Sequence, residues 1–194
     1  MFDYFRGKVV SLTAIRLVLE VGGVGYSFDI PVSTYDKLPR RGDAQVFAQL
    51  HVREDAHRLF GFATVDEREL FNLLQKVNGI GPSVALNILS RATVGDICEA
   101  IAGENIRFLT SLKGVGPKTA QRLVTELKEK AMTMRSGVPA TGPGEPPRLD
   151  DDAVQALQVL GYAPKAALGA VQRALEEKTF GAVGDLVRAA LKHL

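Results

Sequence analysis

An internal repeat constrains this chain more than any other feature. Val77-Asn-Gly-Ile-Gly-Pro-Ser-Val-Ala85 aligns with Leu112-Lys-Gly-Val-Gly-Pro-Lys-Thr-Ala120 at an offset of 35 residues. Gly79, Gly81, Pro82 and Ala85 match Gly114, Gly116, Pro117 and Ala120, and the apolar pairs Ile88/Leu123 and Leu89/Val124 extend the match. The chemistry of Gly-x-Gly-Pro is narrow. The first glycine lets a chain leave a helix through positive φ. The second keeps side chains out of the turn, so another backbone can come close. Proline suits the first position of the next helix, where its missing N–H costs little. The pattern predicts two tight helical hairpins, each presenting free N–H groups at a helix N-terminus, where a phosphate binds readily.

The flanking residues read as helices. Leu70, Leu73, Leu74 and Val77 have the spacing of one buried helix face, and Val94, Ile97, Cys98 and Ile101 repeat it behind the capping-box pattern Thr93-x-x-Asp96. Cys98 therefore reads as a packed core thiol. After the second hairpin, Ala120, Leu123, Val124 and Leu127 form a buried stripe, while Lys118 and Arg122 fall one turn apart on another face. One copy of the motif reads equally as a plain capped helix–turn–helix connection. Two copies, with Lys113, Lys118 and Arg122 around the second, read as a tandem helix-hairpin-helix, which grips DNA backbones without reading bases. Such phosphate contacts give salt-dependent affinity and carry no sequence information. The expected DNA-binding residues are Asn78, Gly79, Ile80, Gly81 and Ser83 in the first hairpin. In the second they are Lys113, Gly114, Val115, Gly116, Lys118, Thr119 and Arg122.

Residues 1–64 read as strands. Arg16–Val21 alternates Leu17, Leu19 and Val21 with Arg16, Val18 and Glu20; Gly22–Gly25 makes a turn; and Tyr26–Ile30 alternates again. With Phe5–Ser11, Ala44–Val52, Arg58–Phe62 and a helical turn near Ser33–Leu38, they predict a five-stranded OB-fold barrel. The tandem hairpins occupy 65–130. Residues 131–149 hold three glycines and four of the nine prolines and read as a flexible linker. Residues 150–194 predict a small three-helix domain. Its faces are Ala153/Ala156/Leu157/Leu160, Leu168/Val171/Leu175 and Val183/Leu186/Val187/Ala190/Leu191/Leu194, with Asp150–Asp152 favouring a helix dipole. The fold class is α+β and multidomain. Net charge is +2 and no segment is strongly basic, so local geometry must hold any nucleic acid. The longest uncharged run, Val77–Ser90, is fourteen residues, short of the ~20 that span a membrane. With charges in the first six residues and one cysteine, the chain reads as soluble and cytoplasmic, with no membrane partner, disulfide framework or zinc site.

The order barrel, two helix-hairpin-helix units, Gly/Pro linker and three-helix tail resembles the bacterial RuvA family, the Holliday-junction-binding subunits of the RuvAB branch-migration complex. Arg6-Gly7, Gly22-Gly-Val-Gly-Tyr26, Val52-Arg-Glu-Asp-Ala56 and Phe60-Gly-Phe62 resemble that family's barrel. The resemblance implies a homotetramer, or an octamer on DNA, that holds a four-way junction open and square. It implies an acidic pin at Glu54 and Asp55, which without the resemblance read as a solvated hairpin turn. Eight carboxylates gathered on a fourfold axis would repel phosphates at the crossover. The resemblance also implies that the tail binds the RuvB ATPase motor, with the RuvC resolvase as a further partner and no cofactor. Leu160, Tyr162 and Leu168 are candidates for the motor contact or for the tail's own core. The chain departs from the family pattern at Ser83 and Pro117, where relatives often carry basic residues.

Four other readings fit the residues less well. Gly114–Thr119 is not a P-loop, because Pro117 separates Gly116 from Lys118 and a helix precedes. A helix-hairpin-helix glycosylase would use a lysine at Lys118, but it needs a downstream aspartate, and none lies between Asp96 and Asp150. A nuclease needs clustered carboxylates. Glu54 and Asp55 lack a third ligand, and His51, His57 and His193 are scattered. A single-strand-binding barrel would expose aromatics for stacking, yet Tyr26, Phe28, Phe60 and Phe62 read better as core.

Overall fold

Alternating apolar side chains close the N-terminal strands on themselves. In a computed structural model, which describes residues 2–54, 56–135 and 149–194, five strands are seen: β1 (Tyr4–Thr13), β2 (Arg16–Val21), β3 (Val24–Asp29), β4 (Asp43–Val52) and β5 (His57–Phe62). They form a closed barrel in the order β1-β2-β3-β5-β4, with α1 (Val32–Lys37) between β3 and β4. Among the described residues only the β3–β5 pair is parallel. This is the expected five-stranded barrel. Leu17, Leu19, Phe28, Ile30, Val46 and Ala48 fill its interior. Close approach explains two glycines of the barrel motifs. A Cβ at Gly7 would lie 2.0 Å from the Glu20 carbonyl oxygen, and one at Gly61 3.2 Å from Phe28 Cβ.

The end of the barrel merges with the helices. Phe60 and Phe62 stack against Phe71 at centroid distances of 5.0 and 4.8 Å, so these rings are core. Phe71 lies on α2 (Val65–Leu74), followed by α3 (Pro82–Arg91), α4 (Val94–Ala102), α5 (Ile106–Ser111) and α6 (Pro117–Arg135). Leu70, Leu74 and Val77 are buried as their spacing predicts, with Leu73 at the rim. The expected capping box forms: Thr93 Oγ1 accepts from the Asp96 N–H at 3.1 Å, and Asp96 Oδ2 from the Thr93 N–H at 3.2 Å. Thr93's donors hold the Asp96 carboxyl below the usual range. Cys98 is buried, and burial pushes its thiol up.

A buried carboxylate joins barrel to helices. Glu67 of α2, 1% exposed, accepts from Thr34 Oγ1 at 2.9 Å, Lys37 Nζ at 2.9 Å and the Ala63 N–H at 3.0 Å. Burial pushes this carboxyl up, but the hydrogen bonds from Lys37 and Thr34 outweigh it and leave it below the usual range. A second tie runs from the Val32 N–H to Ser90 Oγ of α3 at 3.0 Å. A third pairs Arg68 of α2 with Asp3.

The helical part is longer than expected. The sequence reading ends it at Lys130 and begins a linker at Ala131, but α6 continues to Arg135. Ala131 extends the stripe of Ala120, Leu123, Val124 and Leu127 and is 3% exposed, so burial carries the helix on. The rest of the expected linker, 136–148, lies outside the described residues.

The chain divides into two compact units, Met1–Ala140 and Thr141–Leu194. The second comprises α7 (Leu149–Val159), α8 (Pro164–Glu177), α9 (Val183–Ala190) and a 3-10 turn at Leu191–His193, a three-helix unit as expected. Of its expected faces, Ala153, Leu157, Val171, Leu186 and Ala190 are buried, but several of the expected leucines are not. Leu160, Leu168 and Leu175 are exposed, as are Leu191 and Leu194, while Ala153, Leu157, Ala167, Ala170, Val171, Ala174, Leu186 and Ala190 form the core. In so small a unit α8 closes on its alanines and leaves Leu168 and Leu175 at the rim, while Leu157 and Leu186 stay inside. Gly161, at φ +98°, follows the end of α7 in the left-handed region that favours glycine. Asp150–Asp152 sit in the first turn of α7, where the helix dipole favours them.

Candidate nucleic-acid interface

The two Gly-x-Gly-Pro segments fold alike. Gly79 and Gly114 take φ of +100° and +93°, the left-handed region that favours glycine. Each turn is closed by one bond: the Ile80 N–H donates to the Val77 oxygen at 3.1 Å, and the Val115 N–H to the Leu112 oxygen at 3.0 Å. The side chains on either side of each turn, Val77 with Ile80 and Leu112 with Val115, are buried and pin it to the core. Gly81 caps α3 in an extended conformation with Pro82 at the first helical position, and Pro117 is the first residue of α6.

The twelve expected contact residues separate into two roles. Asn78, Gly79, Gly81, Ser83, Lys113, Gly114, Gly116 and Lys118 are exposed, with Thr119 and Arg122 half-buried beside them. Ile80 and Val115 turn inward, and their N–H groups are already bonded, so they anchor the turns and offer no donor outward. The backbone N–H groups of Gly79, Gly81 and Ser83, and of Gly114, Gly116 and Lys118, have no acceptor among the described residues. These backbone donors are thereby left to the two turns.

What the spacing did not predict is how the turns meet. A Cβ added at Gly79 would lie 3.4 Å from Thr119 Oγ1, and one at Gly114 3.1 Å from the Val84 methyls. Val84 and Thr119 are themselves equivalent at the repeat offset of 35, so each hairpin offers its glycine to the same position of the other. A contact in which each partner gives and receives alike is the signature of a local two-fold axis. Arg122 braces the pair: its Nη1 donates to the Asn78 carbonyl oxygen of the first turn at 3.2 Å.

The remaining candidates lie apart. Glu54 is exposed in the β4–β5 turn, which the Arg53 N–H closes on the Ala56 oxygen at 2.9 Å; Asp55 is outside the described residues. Arg53 Nε donates to His51 Nε2 at 3.1 Å, and Arg58 pairs with Asp29 at 2.6 Å. Leu160, Tyr162 and Leu168 of the second unit are 61%, 39% and 49% exposed, so they stand outside its core. Lys118 lies in the first turn of a helix that follows another helix, which is no P-loop. Among the described residues no three His, Cys, Asp or Glu side chains are placed to hold a metal ion, and no helix is long and apolar enough to cross a membrane.

Fold and turns together define a tandem helix-hairpin-helix protein built onto a five-stranded barrel. Residues 1–61 match the RuvA N terminal domain, 71–129 the SAM-like helix-hairpin-helix tandem, and 149–194 the RuvA C-terminal domain. The protein named Holliday junction branch migration complex subunit RuvA from Prosthecochloris aestuarii is 41% identical over 197 residues, covering 100% of this chain and 98% of its own. Proteins of the same name from Neisseria meningitidis serogroup C and Syntrophotalea carbinolica are 42% and 40% identical, each covering 100% of this chain and 99% of its own. The chain belongs to the RuvA family.

Proposed function

We propose that this protein is the non-catalytic, junction-binding subunit of a branch migration complex, acting on Holliday junctions in recombination and DNA repair. The observation that carries the reading is the reciprocal packing of the two hairpin turns, which sets two groups of free backbone donors side by side with Lys113 and Lys118. Helix N-termini with unbonded N–H groups bind phosphate, and paired hairpins hold a backbone without reading bases. The names of the full-length relatives support the same reading.

The finer parts of the reading follow from the family. Residues 1–64 form the barrel with its acidic pin at Glu54 and Asp55, 65–130 the DNA grip, 131–149 the connection and 150–194 the motor-binding domain. Four copies, or eight on DNA, hold the junction open, and the pins repel phosphate at the crossover. The exposed Leu160, Tyr162 and Leu168 face the RuvB motor. RuvC is a further partner, and the compartment is the cytoplasm.

The test is a titration of a four-way junction against linear duplex of the same sequence, with salt varied. The junction is expected to win, and to keep winning when its arm sequences are changed. Equal affinity for the two would overturn the reading.

A further inference from the structure

The two-fold relation makes the hairpins directly comparable, and their charges do not match. At the offset of 35, Lys113 corresponds to Asn78, Lys118 to Ser83 and Arg122 to Asn87, so each cation of the second hairpin has a neutral polar counterpart in the first. Residues 111–122 carry three cations and residues 76–87 one, and neither stretch contains an acid. The lone cation of the first stretch, Lys76, precedes the buried Val77 at the end of α2, ahead of the turn, where the second repeat has Ser111. The backbones of the two turns are alike, and each leaves the corresponding N–H groups unbonded.

We infer that the two hairpins hold DNA by different physical means: the second by charge, the first by neutral donors from the backbone and from Asn78 and Ser83. This rests on the reading of the hairpins as the phosphate-binding face. Each phosphate neutralised by a cation releases condensed counterions and steepens the salt dependence of binding by about 0.9 in log–log slope, whereas a neutral N–H or O–H contact adds affinity at every salt. Rising salt therefore loosens the contacts of Lys113 and Lys118 while the neutral donors of the first hairpin keep theirs, and Arg122, whose guanidinium lies on the Asn78 carbonyl, is shared between the two turns. One backbone is held firmly but ion-dependently, its neighbour weakly but constantly.

Binding of fluorescent duplex and junction, followed across a salt series with the full-length protein, tests this. Lys113→Ala with Lys118→Ala should flatten the slope by about two per duplex arm and converge on the wild type at high salt. Ser83→Ala should weaken binding about threefold at every salt with the slope unchanged. Ser83→Lys should steepen the slope by about one and tighten binding about tenfold at low salt. All three positions are exposed, and Arg122 is left intact because it also braces the first turn. A changed slope in Ser83→Ala, or no change at all in Ser83→Lys, would overturn the division between hairpins. Wild-type binding by the double lysine variant at every salt would instead overturn the placement of the DNA face.

Discussion

At the scale of single residues, Glu67 does what its sequence context gave no reason to expect. It is a buried carboxylate with three donors, and those donors come from α1 and from the link between β5 and α2. Its carboxyl is held below the usual range, so its contribution to stability is complete above the unfolded-state value and is lost as pH falls through the folded-state value. Glu67→Gln loses the charge-assisted bonds and is expected to be less stable by about 2 kcal/mol at neutral pH. In acid the wild type should converge on the variant. Thermal melts taken from about pH 7 to about pH 3 check this, and a gap that stays constant into acid would show that the ionised carboxylate is not what ties barrel to helices.

At the scale of elements, the strands and the hairpin turns were legible because both rest on strict local rules. Alternation at Leu17 and Leu19 forces a strand face, and a Gly-x-Gly-Pro turn tolerates few conformations. In the second unit the expected faces of α7 and α9 hold at Ala153, Leu157, Leu186 and Ala190, but that of α8 does not, for the opposite reason: the spacing of Leu168 and Leu175 also fits an alanine face one position away, and only the partner helices decide between them. Leu168 and Ala167 are adjacent, and the smaller one went inside. The end of α6 was missed because Ala131 sits within a stretch rich in glycine and proline, where composition outweighed the stripe it continues. The Glu67 ties and the meeting of the two turns were invisible because they join residues distant in sequence. Strand pairing also sets an exacting demand at Gly7. Gly7→Ala would place a methyl 2.0 Å from the Glu20 oxygen, so β1 and β2 must part. The expected result is a loss of about 2 kcal/mol or more, read from denaturant unfolding. A variant as stable as the wild type would mean that the barrel yields at this seam.

For the whole molecule, the two units have separate cores, so each can be removed or altered without opening the other. A chain stopped after Arg135 is expected to keep its preference for junctions over duplex while losing stimulation by the motor ATPase, measured as branch migration of a labelled junction. Loss of junction binding in that chain would place part of the DNA grip in the second unit. The two-fold meeting of the hairpins bears on strand polarity. The two strands of a duplex run in opposite chemical directions, and a duplex is itself crossed by two-fold axes that exchange them. On the proposed reading, hairpins related by a matching axis would meet their respective strands in the same chemical sense, so the backbone of the two turns would fit an arm equally well in either orientation. The unequal charges on Lys113 and Lys118 against Asn78 and Ser83 break that equivalence in strength but not in shape.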